Sequence, residues 1–563
     1  MTIRIGTRAS NLAMWQARTV QEALKTAGYD AEVIPFTSMG DRSLGGQLSS
    51  SVGQFIHAID AKLASGEVDI AVHSSKDVPV DVDLTITNLA YLERGSTDDL
   101  VLVRSTPGVP SLDEVLANDV SVPLTSILDH FSEGATFGTV SGRRQSFLLS
   151  RRPDLIPLAV RGHVETRISR LIDGRVDAIV LAEVGLARLD STGALDGMKG
   201  RLSAFRISKE DWPTAPGQGA IAVHCLTDRF DEMNAIRAVL NHPATEADVQ
   251  AERGLLKEAG GGCLYPAGIG VDGERVHVQI SPENWREIFC QGSSYSMFSY
   301  SGRLGELDLQ LPQQSLKSVQ PTTGEPRYIS TLNSDRISLV LSSQGIGMEN
   351  VPVVDLSPNF DRWPQDFLQN YNSKRDWPYL VLTSPFAAKC AVQAAASNPD
   401  IGRIPWVAIG EGTARACFRL GVTVAVCGMA RNARQLAAYI TENFPRSTTF
   451  FLPRSSLASP VFEETLQAAG FSLKVWIGYE NTPKESVSVE VNTEDVLVLS
   501  SASSAISWAE HELKVPRDIL CMGDNALATI ESLDHFDGCQ VSVLKGPTSE
   551  ALVKWWNDNR KGD

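Results

Sequence analysis

The stretch Asp69-Ile70-Ala71-Val72-His73-Ser74-Ser75-Lys76-Asp77-Val78-Pro79 joins an apolar strand to a polar turn, and its setting decides the fold class. A run that ends in a lysine and a carboxylate marks the carboxyl end of a strand, where open α/β sheets place their ligands. The flanks agree. Ile3-Arg4-Ile5 reads as strand, Asn11 to Ala27 as helix, Glu32 to Phe36 as strand and Phe55 to Leu63 as helix, an alternation that predicts a layered α/β lobe with a largely parallel sheet. A lone Lys-Asp pair is more often a surface ion pair of little energetic worth, so it assigns no function by itself.

The rhythm returns after a loop-rich stretch from Ser105 to Glu133. Ala135 to Phe137, Ile156 to Val160 and Ala178 to Leu181 read as strands, with Arg143 to Leu149 and Val164 to Ile172 as helices. A helical run from Asp248 to Glu258 and the alternating Val276-His277-Val278-Gln279-Ile280 predict a smaller α+β unit. The polar, Pro/Gln/Ser-rich stretch around Gly302 to Pro326 reads as a linker. Beyond it strands at Tyr379 to Leu382, Trp406 to Ile409, Thr449 to Leu452 and Val496 to Leu499 alternate with helices. This half looks internally duplicated. At roughly 100 to 200 residues per domain, a chain of 563 residues holds about three to five domains.

Composition excludes several classes. With 43% hydrophobic and 21% charged residues the chain is neither disordered nor fibrous. A formal charge of -16 repels nucleic acid and anionic lipid from the protein as a whole. No apolar run reaches the ~18 residues of a membrane span, and Met1-Thr2-Ile3-Arg4 lacks a signal-peptide layout; a cytoplasmic protein is expected. The eight cysteines form no CxxC pair and sit at no zinc spacing with histidine, so no structural metal is expected.

Between Thr139 and Arg170 stand seven arginines (Arg143, Arg144, Arg151, Arg152, Arg161, Arg167, Arg170) against Asp154 and Glu165, with no lysine. Guanidinium grips carboxylate through a planar fork that ammonium lacks, so an all-arginine cluster favours a substrate with several carboxylates or phosphates. For any one arginine a solvated helix face is the plainer reading. Arg143 and Arg144 follow Thr139-Val140-Ser141-Gly142 at a strand-to-helix turn, where free backbone N–H groups assist the same anion. Cys263 lies in Gly260-Gly261-Gly262-Cys263-Leu264-Tyr265-Pro266, where glycines leave the thiol unshielded; from spacing alone an incidental cysteine on a turn is the plainer reading.

Over roughly residues 1 to 315 the chain resembles the porphobilinogen deaminase (hydroxymethylbilane synthase) family. The likeness rests on Arg4 to Ala13, His73 to Pro79, Gly142-Arg143-Arg144-Gln145, Arg151 to Leu155, Arg161-Gly162-His163-Val164 with Thr166-Arg167, Pro216-Gly217-Gln218-Gly219-Ala220 and Gly261-Gly262-Cys263. It implies two periplasmic-binding-protein-like α/β lobes plus a small α+β domain, and a dipyrromethane cofactor attached covalently through Cys263. It implies Asp77 as the acid/base group that assists ammonia loss. Arg8, Ser10, Lys76, Ser141, Arg143 and Arg144 are implied as cofactor-binding, and Arg161, Arg167 and Arg188 as substrate-binding. Where the family carries a basic loop, this chain has Ser51-Val52-Gly53-Gln54-Phe55-Ile56-His57, with Val52 and His57 in place of basic residues; Leu112 to Gly134 is longer than usual.

The second half, about 326 to 560, is similar to uroporphyrinogen-III synthases through Leu382 to Pro385, Ala408 to Ala414, Gly470 to Val475 with Tyr479 and Thr482-Pro483, Val498 to Ser503, and Lys545-Gly546-Pro547-Thr548. This implies two α/β lobes around a cleft, Tyr479 as the catalytic residue that helps a hydroxyl leave, and Thr383, Ser384, Thr413 and Ser501 as substrate-binding. Ser/Thr turns after strands are also common in every α/β fold. The expected domains are 1–104 with 205–225 and 105–204 as deaminase lobes, 226–315 as the small α+β domain, 316–326 as linker, and 327–355 with 479–563 and 356–478 as synthase lobes. The expected protein condenses four porphobilinogens to hydroxymethylbilane and closes the ring to uroporphyrinogen III, as a monomer acting on small molecules with no nucleic acid or membrane partner. A deaminase with a degenerate second half and a non-catalytic two-lobed anion binder are the rivals.

Overall fold

The computed structural model describes residues 2–36, 45, 54–80, 83–262, 265–311, 326–371, 376–544, 546 and 548–560, without the side chains of Gln54, Phe55, His57 and Arg336. Val52, the His57 side chain, Cys263, Lys545, Pro547 and the linker up to residue 325 therefore lie outside the described residues. The chain is a multidomain α/β protein that divides into two compact units, one of Met1–Trp285 with Tyr295–Gln314, the other of Arg286–Ser294 with Ser315–Asp563.

The first unit holds three sheets. In the first, the order is Ala31–Phe36, Ile3–Arg8, Ile70–Ser74, Ile221–Leu226, Ile86–Tyr91. The first three strands are parallel, and Ile221–Leu226 runs antiparallel to both its neighbours. Ile5 pairs with Ile70, and Val72 with Val223, so strand interiors buried on both faces read as continuous apolar runs. Helix Asn11–Thr26 covers this sheet because Ala17, Val20 and Leu24 fall on one stripe at helical spacing. Its N-terminus is set by Ser10, whose hydroxyl accepts the Ala13 N–H at 3.3 Å.

The second sheet runs Ile156–Leu158, Thr136–Gly138, Ala178–Ala182, Asp99–Arg104, Leu202–Arg206. Asp99–Arg104 and Leu202–Arg206 both belong to it, although the expected boundaries at 104/105 and 204/205 assign the former to the first lobe and divide the latter. The crossings between lobes lie earlier and later, between Tyr91 and Asp99 and between Arg206 and Ile221. Leu100, Val101 and Leu102 are fully buried between two antiparallel partners, a pairing that apolar runs in sequence do not announce. The loop-rich stretch also differs from expectation. It contains helix Leu112–Ala117, closed by a Ser111/Glu114 capping box, and helix Leu124–Leu128; helices this short leave too few turns for periodicity to register. A third, antiparallel sheet of Ala267–Asp272, Arg275–Ile280 and Phe298–Arg303 packs on helix Pro243–Glu258.

A buried trio ties helix Gln54–Ala64 to the first sheet. His73 Nε2 lies 2.9 Å and His224 Nδ1 3.4 Å from the same Asp60 oxygen. Burial opposes ionisation of Asp60, but the two imidazoles hold its carboxyl well below the usual range. Burial pushes His224 down, towards its neutral form.

The second unit contains two sheets. Met348–Asn350, Tyr328–Ser330, Val496–Leu499, Asp518–Cys521 and Gln540–Val543 form one, all parallel. Val354–Pro358, Ser472–Pro483, Thr449–Ser455, Tyr379–Leu382, Trp406–Ala408 and Val426–Cys427 form the other. The chain leaves the first of these after Asn350 and returns at Val496, so the inserted lobe spans the antiparallel pair Val354–Pro358 and Ser472–Pro483, a little wider than the expected 356–478. No described helix is long and apolar enough to cross a membrane.

A lowered folded-state pKa stabilises above the unfolded value and is lost as pH falls. His224 therefore contributes above about pH 6.5, and Asp60 acts in the same direction at lower pH. Calorimetry between pH 8 and pH 5 should show the Tm of the intact chain falling with pH, with a shallower slope in His224→Leu. An identical slope in the variant would show that the imidazole is not held neutral.

Candidate functional site

The charged centre of the first unit is built on Asp99, the first residue of strand Asp99–Arg104 and completely buried. It accepts from Arg143 Nη2 at 2.7 Å, from Arg144 Nε and Nη2 at 3.0 and 2.6 Å, from Trp212 Nε1 at 2.9 Å and from Gln218 Nε2 at 3.0 Å. Desolvation works against the anion, but the Arg144 and Arg143 charges and their hydrogen bonds hold its carboxyl far below the usual range. Both arginines sit in the first turn of helix Gly142–Arg151, which is capped by Ser141 through the Arg144 N–H. Arg143 turns into the protein, giving Nη1 to the Pro213 carbonyl at 3.0 Å and lying over the rings of Trp212 and Phe147. Arg144 gives Nη1 to the Val180 carbonyl at 2.8 Å.

Around this pair the other expected cations gather. Lys76 and the exposed Asp77 occupy a short 3-10 turn after strand Ile70–Ser74. The Lys76 ammonium donates to Gln218 Oε1 at 3.1 Å. Burial and the nearby Arg144 push it down to about 8, against the pull of Asp77 and Asp99. Arg167, on helix Val164–Ile172, is pushed down to about 10 by burial and then by Arg144 and Arg161, while Asp77 opposes the shift. Its Nε donates to the Gly162 carbonyl at 2.9 Å. Arg144 and Asp77 thus act electrostatically on both Lys76 and Arg167, and Arg161 acts on Arg167. Across the lobes, Asn11 Nδ2 donates to Glu165 at 2.8 Å.

Other expected residues stand differently. Arg188 is buried, lies 5.1 Å from the Trp15 ring centre and donates to the Gly219 carbonyl at 2.8 Å; burial pushes it down to about 10. Arg8 ends strand Ile3–Arg8 and is half-buried. Ser10 and Ser141 use their hydroxyls as helix caps, which leaves each hydroxyl proton to give. Cys263 lies outside the described residues, but its approach is described: helix Pro243–Glu258 ends at Ala259, Gly260 turns with φ +74°, and a Cβ at Gly262 would meet nothing within 4 Å. Among the described residues one set of three metal-capable side chains converges, Asp60 with His73 and His224, and it forms the hydrogen-bonded trio above.

Sequence reasoning missed Asp99, Trp212 and Gln218. A signal existed: an aspartate that opens the apolar run Asp99 to Val103 needs cationic partners if that run is a core strand, and Arg143-Arg144 were available.

In the second unit the expected residues sit where strands of the two sheets end. Ser384 caps helix Pro385–Ser397, accepting the Ala387 N–H at 3.1 Å, and its Oγ lies 2.9 Å from the Tyr479 hydroxyl. Tyr479 is buried against Phe386, and that burial raises its pKa while the Ser384 contact lowers it. Thr383 is half-buried beside them, and Thr413 is buried in the first turn of helix Glu411–Arg419. Ser501 caps helix Ala502–Glu510 and lies 3.1 Å from Ser503 and 2.8 Å from Ser504. Asn481, two residues beyond Tyr479, donates to Ser503 Oγ at 3.3 Å, linking the Tyr479 strand to the Ser501 cluster.

Removing one member of a buried ion cluster costs about 3–5 kcal/mol, because the remaining charges are left uncompensated. Asp99→Ala should lower the unfolding midpoint of the first unit accordingly in urea. A loss under about 1 kcal/mol would show that solvent reaches the cluster.

Comparison with known proteins gives two matches along the chain. The family model described as porphobilinogen deaminase, dipyromethane cofactor binding domain, matches residues 3–234; that described as uroporphyrinogen-III synthase HemD matches residues 335–554. The porphobilinogen deaminase of Xanthomonas euvesicatoria pv. vesicatoria (strain 85-10) is 37% identical over 269 residues, covering 47% of this chain and 79% of the relative. That of Xanthomonas axonopodis pv. citri (strain 306) is 36% identical over the same coverage. Among solved structures, uroporphyrinogen-III synthetase from Helicobacter pylori 26695 covers 42% of this chain and 99% of its own at 14% identity and TM-score 0.27, values too low to carry an argument.

Proposed function

This chain belongs to the porphobilinogen deaminase family and continues into a uroporphyrinogen-III synthase domain, which makes it a bifunctional enzyme of tetrapyrrole biosynthesis, and on that premise we propose how its residues divide the work. The deaminase half takes a dipyrromethane cofactor, and we assign its covalent attachment to Cys263. The donor set suits such a group: the half-buried Lys76 and Arg167 each bear the repulsion of the buried Arg144, and Arg161 adds to it at Arg167, and a pyrrole chain brings carboxylates that relieve that repulsion. When bound, the cofactor supplies the primer to which each new pyrrole is joined.

The observation that carries the reading is the placement of Asp77 beside Lys76 and Arg167 at the end of strand Ile70–Ser74. The Asp77 carboxylate assists departure of ammonia from porphobilinogen and stabilises the positive charge left on the pyrrole. Ser10 and Ser141 give their hydroxyl protons to carboxylates; Arg8 and Lys76 supply cations. Arg143 and Arg144 together carry two positive charges against the single charge of Asp99, so they contribute a net +1 to the pocket. Arg161 and Arg167 hold the growing chain. For Arg188, the stacking on Trp15 and the bond to Gly219 favour a clamp between lobes over a direct substrate contact.

In the synthase half, Tyr479 gives its phenolic proton to the departing hydroxyl of hydroxymethylbilane, and Thr383, Ser384, Thr413 and Ser501 meet substrate through hydroxyls or neighbouring backbone N–H groups. Functional lobes follow the sheets, with the crossings near 92–98, 207–220, 351–353 and 484–495. We propose a cytoplasmic monomer acting on small molecules, and the charge of -16 disfavours nucleic acid and anionic lipid as partners.

Denaturing mass spectrometry of the purified chain should show a covalent dipyrromethane that is absent from Cys263→Ser; an unmodified wild-type mass refutes the attachment. Asp77→Ala should keep the adduct and the fold yet lose at least ~100-fold in turnover, and near-normal turnover removes Asp77 from its role. Product from porphobilinogen should be the type III isomer in the wild type and predominantly type I in Tyr479→Phe. Type I alone from the wild type would leave the second half without its activity.

A further inference from the structure

Gln218 is fully buried in the turn Ala215-Pro216-Gly217-Gln218-Gly219, on the crossing that returns the chain to the first lobe. Its Nε2 faces three oxygens, the Thr97 carbonyl at 2.7 Å, the Asp98 carbonyl at 3.2 Å and Asp99 Oδ1 at 3.0 Å. An amide end surrounded by acceptors must be the nitrogen end, so the other end is an oxygen, and it lies 3.1 Å from the Lys76 ammonium. Among the described residues it is the hydrogen-bond acceptor that this ammonium reaches.

The backbone leaves the amide no second position. Gly217 N–H donates to Glu252 at 2.6 Å, the Gln218 carbonyl accepts Arg94 Nε at 2.9 Å, and the Gly219 carbonyl accepts Arg188. Gly217 and Gly219 have φ of +76° and +89°, and a Cβ on either would stand 2.5 Å from Ser75 Oγ or from the Gly95 carbonyl. The turn is therefore closed against both lobes, with the Gln218 side chain fixed between Asp99 and Lys76.

We infer that Gln218 is a positioning residue of the deaminase half, which holds the Lys76 ammonium at the edge of the pocket where a substrate or cofactor carboxylate is received. The inference rests on the proposed carboxylate-binding role of Lys76. The acceptor is neutral, and that matters. A carboxylate in its place would satisfy the ammonium permanently and compete with the incoming anion, whereas an apolar side chain would leave a half-buried cation without this acceptor. The charged groups facing Lys76 are Asp77 on its own turn, Asp99 on strand Asp99–Arg104, and Arg143 and Arg144 on helix Gly142–Arg151. Burial and the two arginines already bring the ammonium down to about 8, so small changes in its acceptor move its charge within the working pH range.

The test is a double-mutant cycle on the full chain carrying its adduct, confirmed by mass and circular dichroism. Lys76→Met should raise KM for porphobilinogen about tenfold or more. Gln218→Met should raise it similarly with a much smaller effect on kcat, and should add nothing in the Lys76→Met background. Additive effects in the double variant would reduce Gln218 to a structural residue and overturn the inference. Unchanged KM in Lys76→Met alone would instead refute the role of Lys76, a separate failure.

The pH dependence of kcat/KM supplies a second readout. Gln218→Met should shift the alkaline limb to lower pH by roughly half a unit or more, since an acceptor of the charged form is lost. Gln218→Asn, a shorter amide that keeps a donor but draws its oxygen away from Lys76, should shift it in the same direction. An unmoved alkaline limb in the variants would also overturn the inference, and the Asn variant carries this readout if the Met variant does not fold.

Discussion

A single buried carboxylate organises the first unit. Asp99 has no access to water and accepts five N–H bonds, three of them from two guanidinium groups. Two cations against one anion leave a residual positive charge in a place of low dielectric, where it acts over a longer range than at a surface. The cluster is expensive to break because any member left alone is an uncompensated buried charge. Three parts of the chain meet at it: the strand Asp99–Arg104, the helix Gly142–Arg151, and the returning crossing through Trp212 and Gln218.

The same logic recurs on the opposite side of the turn at residues 216–219. Glu252, also fully buried, accepts from Arg94 at 2.8 Å, from the Gly217 N–H at 2.6 Å and from the Val271 N–H at 2.8 Å. One carboxylate thus joins the crossings to helix Pro243–Glu258 and strand Ala267–Asp272, while the other joins them to the arginine helix. The two lobes and the third sheet meet at one short turn held between two buried anions.

The second unit places neutral groups where the first places charges. Thr331, Ser500, Ser504, Ser501 and Ser503 form a chain of hydroxyl contacts, with Ser500 Oγ 3.1 Å from Thr331 and 3.0 Å from Ser504, while Ser384 pairs with the Tyr479 hydroxyl. A hydroxyl that accepts a helix N–H still has a proton to give. Such groups can direct the ends of a flexible ligand without fixing a strong counter-charge, which suits a reaction whose task is to choose how a chain closes.

Sequence alone determined the α/β class of both halves, because strands buried on both faces must be apolar and their turns must be polar, and for the same reason it located the turn with Lys76 and Asp77 after the strand Ile70–Ser74. It misplaced the lobe boundaries, since an apolar strand such as Asp99–Arg104 carries no mark of which sheet it will join. What only the tertiary structure decided is the use to which each charge is put. Arg143 and Arg144 look in sequence like groups waiting for a ligand, yet their forks close on Asp99. A hydrogen bond depends on distances between residues over forty positions apart, and the chain's order does not encode those distances until the sheets have formed.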